Sequence, residues 1–147
     1  MGEFEASDFL QEALKSGLAT QDDLTSSFAV GKSGNDVLAE ALQKGRDAGR
    51  KPWIYTHPIG YHGHAAGTTI GMWDAQEGVP GSGDYLLRAN TAYSIELNNT
   101  IYVDEWGKDV RIMLEEDAFF DGEKVTYING RAKKLMLIPR QDGYLGN

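Results

Sequence analysis

All three histidines of this 147-residue chain fall within eight residues, in the stretch HPIGYHGHAAG from 57 to 67. Imidazole binds divalent metals and exchanges protons near neutral pH, so the cluster is a candidate metal or catalytic site. His62 and His64 are two residues apart and would point the same way in a strand. His57 precedes Pro58, which restricts the backbone to extended conformations and favours a structural role. Exposed turns also carry glycine-flanked histidines without any chemistry, and this alternative stays open.

Two further stretches place carboxylates in strand-like surroundings. In TAYSIELNNTIYV, Glu96 shares a face with Ser94 while apolar side chains alternate onto the other face. In VRIMLEEDAFF, Glu115 and Glu116 interrupt an otherwise apolar run. A buried glutamate needs a partner, so these residues are candidates for a site. The alternative is that they mark the solvent-facing side of half-exposed strands.

The elements that must position these residues divide into helices followed by strands. Capping residues and apolar spacing predict a helix from Ser7 to Gly17, a second that begins with a capping box at Thr20 and Asp23, and a third from about Asn35 to Ala48. Short β-branched and aromatic segments follow, at 53–56, 68–73, 91–97, 100–105, 110–120, 125–128 and 135–138. This order predicts an α+β domain with a largely antiparallel sheet.

The composition excludes several classes of function. The chain has 22 acidic against 14 basic residues, a formal charge of −8, and no basic run. We therefore expect neither nucleic-acid nor membrane binding, since both need a basic surface. There is no cysteine, which excludes disulfides, thiolate metal sites and a cysteine nucleophile. The acidic N-terminus has no apolar run of a signal peptide, so we expect a cytoplasmic protein.

The order of four short motifs resembles a known family. From about 28 to 139 the chain is similar to the C-terminal part of the creatinase/methionine-aminopeptidase, or pita-bread, family, which includes Xaa-Pro aminopeptidases and dipeptidases. The matching motifs are GHAAG at 63–67, EGVP at 77–80, SIELN at 94–98 and LEEDAFF at 114–120. The resemblance implies one domain with a helical lead-in at 1–27, a family-like core at 28–139 and a tail at 140–147. It also implies helices packed on a mostly antiparallel, pita-bread-like sheet.

The resemblance further implies a metallopeptidase site. His64, Glu96 and Glu115 match family metal ligands, with Glu116 as a rival to Glu115. Either His57 or His62 takes the place of the family's substrate-facing histidine, where Gln76 stands, and we assign the assisting role to His62. The implied cofactor is a pair of divalent ions, Mn, Co, Fe or Zn, and the implied substrate is an Xaa-Pro peptide. Two metal ions of this kind polarise the scissile carbonyl and activate water.

The chain departs from the family pattern in one important respect. The family carries two aspartate ligands on a hairpin upstream of the histidine motif, and we find no such pair. Asp36 and Asp47 have the family spacing but lie on a predicted helix. We therefore expect a truncated catalytic domain that is weak or inactive alone and that self-associates through exposed sheet edges. The alternatives are a non-catalytic peptide- or protein-binding module and an unrelated α+β domain with coincidental motifs.

Overall fold

The structure, a computed structural model, describes residues 5–138. The predicted tail at 140–147 lies outside the described residues. Two helices form one layer, α1 at Asp8–Thr25 and α2 at Gly34–Asp47. The start of α2 is set by a capping box, in which Ser33 accepts from the Asp36 backbone and Asp36 accepts from the Ser33 backbone.

The predicted break at Gly17 is wrong, because α1 runs through it. Gly17 lies where the helix touches the sheet, and a Cβ there would come within 2.9 Å of Leu114 Cδ1. The glycine therefore provides close packing instead of a helix end. Thr20, predicted to cap a new helix, lies inside α1 and donates its hydroxyl proton to the Ser16 carbonyl at 3.1 Å.

The second layer is one six-stranded sheet with the order β3-β2-β4-β5-β6, in which β1 also pairs with β4. All of the pairings between these strands are antiparallel. The strands are β1 Pro52–Ile54, β2 His57–Gly60, β3 Gly63–His64, β4 Thr91–Val103, β5 Lys108–Phe120 and β6 Val125–Tyr127. The predicted α+β class with a mostly antiparallel sheet is confirmed.

Four predicted strand segments differ from the structure. The segments at 91–97 and 100–105 are one continuous strand through residue 103, because β4 pairs with β5 over its whole length. The segment at 68–73 forms only isolated bridges, since Gly71 turns the backbone into the left-handed region at φ +71°. The segment at 135–138 forms no strand, and residues 135–137 instead line a cleft with Leu14 and Leu18 of α1.

The core lies between the helices and one face of the sheet. Tyr93, Ile95 and Leu97 of β4 are at most 1% exposed and pack in one cluster with apolar residues of both helices. Phe28 joins them with its ring edge-on to Tyr93. The opposite face of β4 is therefore left for other contacts. No helix among residues 5–138 combines the length and hydropathy needed to cross a bilayer.

Candidate active-site groove

The face of the sheet that turns away from the helices forms a groove with a regular polar floor. The strand register aligns three neighbouring side chains in each of four successive rows across the segments at 51–57, β4 and β5. The rows are His57–Ser94–Asp117, Tyr55–Glu96–Glu115, Trp53–Asn98–Met113 and Lys51–Thr100–Arg111. The first two rows line an open cavity of about 840 Å³.

The second row brings two predicted ligands together. Glu96 and Glu115 are direct cross-strand partners. Side chains that face each other across an antiparallel pair have Cβ atoms roughly 5 Å apart, and like charges there repel. Ser94 donates a hydrogen bond to Glu115 Oε1 at 3.0 Å. Asp117, opposite Ser94, adds a third carboxylate to the cavity lining.

Two histidines close one side of these acidic rows. His57 Nε2 lies 3.4 Å from Glu96 Oε2, and His57 Nδ1 lies 2.9 Å from the Pro58 carbonyl oxygen. The His64 ring stacks on His57 with centroids 3.9 Å apart. The register of the β2–β3 hairpin explains this stack, since His64 pairs with Ile59, two residues from His57. His57, interpreted from sequence as structural, therefore lies in the groove beside Glu96.

The structure separates the other candidates from the groove. His62 lies in the exposed turn between β2 and β3, edge-on to Tyr61, and is not among the residues that line the cavity. Its assisting role stays a prediction. Glu116 alternates onto the opposite face from Glu115, and its Oε1 accepts a hydrogen bond from the Ala132 backbone at 2.8 Å. Of the two rival glutamates, Glu115 is the one that lines the cavity.

Gln76 holds the groove wall to the sheet. Its Oε1 accepts from the Ile54 N–H at 3.0 Å, and its Nε2 donates to the Ile54 and Met72 carbonyls at 2.7 and 2.8 Å. The side chain is buried, and every strong hydrogen-bonding position of the amide faces backbone. At the position where the resemblance implies a histidine, Gln76 is thus a structural amide.

Tyr55 reports the electrostatics of the acidic rows. Burial is the main cause that raises the pKa of Tyr55 to about 12, and the neighbouring Glu96 and Glu115 carboxylates raise it further. Arg111 acts in the opposite direction on this pKa. The phenol therefore stays protonated at neutral pH and can donate a hydrogen bond into the groove.

Three groove residues were not singled out from the sequence. Trp53 and Tyr55 lie four and two residues before His57, and in a strand this spacing places all three side chains on one face. Asp117 lies two residues after Glu115 and so on the same face. The signal was present in both stretches, but only the register shows that they meet.

The donors suit a divalent cation in chemical type. Carboxylate and imidazole ligands match the metals expected from the sequence. Within residues 5–138, however, no three histidine or carboxylate side chains converge into a ready metal cluster. Instead, His57 Nε2 lies against the Glu96 carboxylate, and the Ser94 hydroxyl donates to Glu115. A metal centre in this groove would therefore need rearrangement of these side chains or further donors.

No protein-family model and no curated protein matches the sequence. The fold, in contrast, resembles solved structures. An X-Pro aminopeptidase from Thermotoga maritima MSB8 superposes with a TM-score of 0.61 at 21% identity, over 91% of this chain and 35% of that one. A dipeptidase from Pyrococcus horikoshii OT3 gives 0.58 at 22% identity, over 89% and 33%.

An Xaa-Pro dipeptidase from Bacillus anthracis gives a TM-score of 0.55 at 22% identity, over 91% of this chain and 34% of that one. The chain thus spans about a third of the length of these structures. At this identity the likeness concerns the fold. It confirms the predicted resemblance: the chain has a pita-bread-like α+β fold similar to that of the Xaa-Pro peptidases.

Proposed function

We propose that the groove binds peptides and forms part of a metal-dependent Xaa-Pro aminopeptidase-like site. The observation that carries this proposal is the direct opposition of Glu96 and Glu115 on the groove floor. Two opposed carboxylates are unfavourable unless a cation lies between them. A divalent metal or the ammonium end of a peptide provides that cation, so the geometry suits a site that receives one.

In this proposal Glu96, Glu115 and His64 are the ligands that the groove offers to metal. Bound divalent ions would polarise the scissile carbonyl and activate water. His57 holds the Glu96 carboxylate in position through its Nε2, and Ser94 does the same for Glu115. Tyr55 offers a neutral phenolic proton beside them. We take the proposed substrate class, peptides with proline in the second position, from the X-Pro and Xaa-Pro peptidases whose fold this chain resembles.

We expect weak metal binding and little turnover from this chain. Three ligands that do not converge bind an ion less tightly than a preformed centre, because binding must also reorder the side chains. The test is a calorimetric titration with Mn²⁺ or Co²⁺ together with an assay of Ala-Pro dipeptide cleavage. The double variant His64→Ala, Glu96→Ala should lose metal binding, whereas Glu116→Gln, on the opposite face, should keep it. Equal metal uptake by the parent and the double variant would disprove the ligand assignment.

A second candidate is a non-catalytic peptide-binding module. It is favoured by Gln76, whose amide is occupied by backbone where the family carries a histidine. Binding of an Xaa-Pro peptide in the presence of a chelator would support this alternative. A stoichiometric metal requirement for peptide binding would exclude it.

Self-association is part of the proposal. The outer edge of β5 pairs with β6 over residues 118–120, and Asp117 accepts from the Ile128 N–H, which leaves residues 108–116 of the described chain without a second strand partner. An open strand edge is a template for pairing with another chain. We therefore propose a homo-oligomer that dissociates on dilution, measurable by light scattering. The domain limits at 28 and 139 and a cytoplasmic location also stay proposals.

A further inference from the structure

The acidic cavity continues along the sheet into a second cavity of opposite charge. This basic end of the groove measures about 620 Å³ and is lined by Arg46, Arg50, Lys51 and Arg111 with no acidic residue. The acidic end is lined by Glu96, Glu115 and Asp117 with no lysine or arginine. Trp73 lines both cavities, so they are neighbouring parts of one groove. In a chain with a net charge of −8, four converging cations stand out.

The four cations are not equally available. Arg50 is paired with Asp23, and Arg46 lies in the last turn of α2, where a cation is favoured by the helix dipole. Within the described part of the chain, the one ion pair of Lys51 is a long contact of 3.7 Å with the exposed Asp109. Arg111 has no ion pair or side-chain hydrogen bond within residues 5–138. Lys51 and Arg111 are therefore the pair that can take an anionic ligand.

These two residues belong to one row of the groove floor. Thr100 lies between them, since its N–H donates to the Lys51 carbonyl and its Cα pairs with Arg111. Thr100 is four residues from Glu96 on β4, so at about 3.3 Å per residue the basic row lies about 13 Å from the Glu96–Glu115 row. The row between them contains Trp53, whose indole N–H donates to the Trp73 carbonyl at 2.9 Å. An apolar, aromatic step therefore separates the two charged ends.

We infer that the basic end is a subsite for a carboxylate on the bound peptide, positioned about four residues from the peptide's N-terminus. This inference rests on the proposed peptide-binding function. An extended peptide spans about 3.3 to 3.6 Å per residue, so an ammonium group at the acidic rows places the carboxylate of the fourth residue at Lys51 and Arg111. Guanidinium matches carboxylate in a two-point geometry, which makes Arg111 the main determinant.

The carboxylate has two sources, the C-terminus of a tetrapeptide or an acidic side chain at the fourth residue. The experiment compares three peptides by calorimetric titration: Ala-Pro-Ala-Ala as the free acid, the same peptide as its amide, and Ala-Pro-Ala-Glu amide. We expect the free acid to bind about fivefold more tightly than the amide, in line with a solvent-accessible charged contact to two cations. If Ala-Pro-Ala-Glu amide binds as tightly as the free acid, the subsite accepts acidic side chains as well. If it binds only as weakly as the other amide, the subsite is restricted to C-termini.

The variant Arg111→Gln should remove the preference for the free acid over the amide. Lys108→Gln is the matched control, because it removes one charge from the same strand where Lys108 contacts Trp106 outside the groove. Circular dichroism and thermal unfolding verify that each variant folds. Loss of the preference in both variants would show a general charge effect and overturn the inference.

Two further outcomes separate this inference from the proposed function. If the free acid and both amides bind with equal, measurable affinity, the groove binds peptides but the carboxylate subsite does not exist. If no peptide binds, the proposed function fails, and the subsite fails with it.

Discussion

The two faces of the β4–β5 hairpin are made from alternating residues of the same two strands, yet they have opposite properties. On the helix side, Tyr93, Ile95 and Leu97 are fully packed. On the groove side, Glu96 faces Glu115, and Met113 is 60% exposed. Because the two faces share one backbone, the packed face holds the other in register. The comparison indicates that the packing of one face offsets the repulsion between the carboxylates on the other.

The largest effect should come from the packed face. Ile95→Ala removes a side chain that is 0% exposed and should lower the free energy of unfolding by about 2 to 5 kcal/mol. Met113→Ala, on the groove face of the neighbouring strand, should change it by at most about 0.5 kcal/mol. Urea unfolding monitored by circular dichroism measures both. Equal losses would mean that the groove face is packed against something.

A second prediction concerns the point where the groove wall meets the packed face. Gly71 has φ +71°, and a Cβ there would lie 2.2 Å from the Ile54 carbonyl oxygen. Gly71→Ala therefore combines backbone strain with a clash and should cost about 2 to 4 kcal/mol. Gly81→Ala is the control, because Gly81 has φ +83° but open space around its Cβ position. Its cost should be only the strain, about 1 kcal/mol.

Gly71 is expected to affect the groove as well as stability. It lines the acidic cavity and precedes Met72, whose carbonyl accepts from Gln76. Displacement of this segment should weaken metal or peptide binding, which the calorimetric titration detects. Normal binding by a folded but destabilised Gly71→Ala variant would show that the wall and the floor are independent.

The third prediction separates the two adjacent glutamates of β5. Glu115→Gln removes the repulsion with Glu96 and should raise the free energy of unfolding by about 0.2 to 1 kcal/mol at neutral pH. The same variant should bind metal more weakly, because one charged ligand is lost. Glu116→Gln should leave both quantities nearly unchanged, since an amide oxygen still accepts from the Ala132 N–H. A destabilised Glu115→Gln variant would contradict the idea that these carboxylates await a cation.

The sequence predicts the class of fold better than it predicts the site. Apolar alternation along 91–97 and 110–120 indicates strands because burial repeats with a period of two. The helix end predicted at Gly17 is wrong, because this glycine allows a close contact with Leu114 that no local sequence pattern reveals. Likewise, spacing cannot show that the His57 ring turns toward Glu96, which lies far along the chain and is brought near by the pairing of β2 with β4. Such contacts depend on register, which only the assembled sheet fixes.

The same limitation explains the ranking of the histidines. His62 and His64 are the two that spacing places on one face, but the tight β2–β3 hairpin exposes His62 in its turn and stacks His64 on His57. Glu115 and Glu116 lie on opposite faces of the sheet, because successive side chains of β5 alternate between the two faces. Once it is known which face of β5 lines the groove, the alternation alone decides which of the two glutamates lies in it.

The smallest expected effect is a change in the pKa of Tyr55 when charges in the groove are removed. The pKa of Tyr55, about 12, exceeds its ordinary value of 10.0, so the folded state holds the phenolic proton more tightly than the unfolded state. The stability associated with this proton is therefore present below pH 10 and is lost as the pH rises toward 12. Glu115→Gln should lower the pKa of Tyr55, and Arg111→Gln should raise it, because the two charges act on the phenol with opposite sign. Near-ultraviolet absorbance of phenolate, taken as the difference between proteins with and without Tyr55→Phe, isolates this group from the other tyrosines. Shifts in the same direction would show that the acidic and basic ends of the groove do not meet at Tyr55.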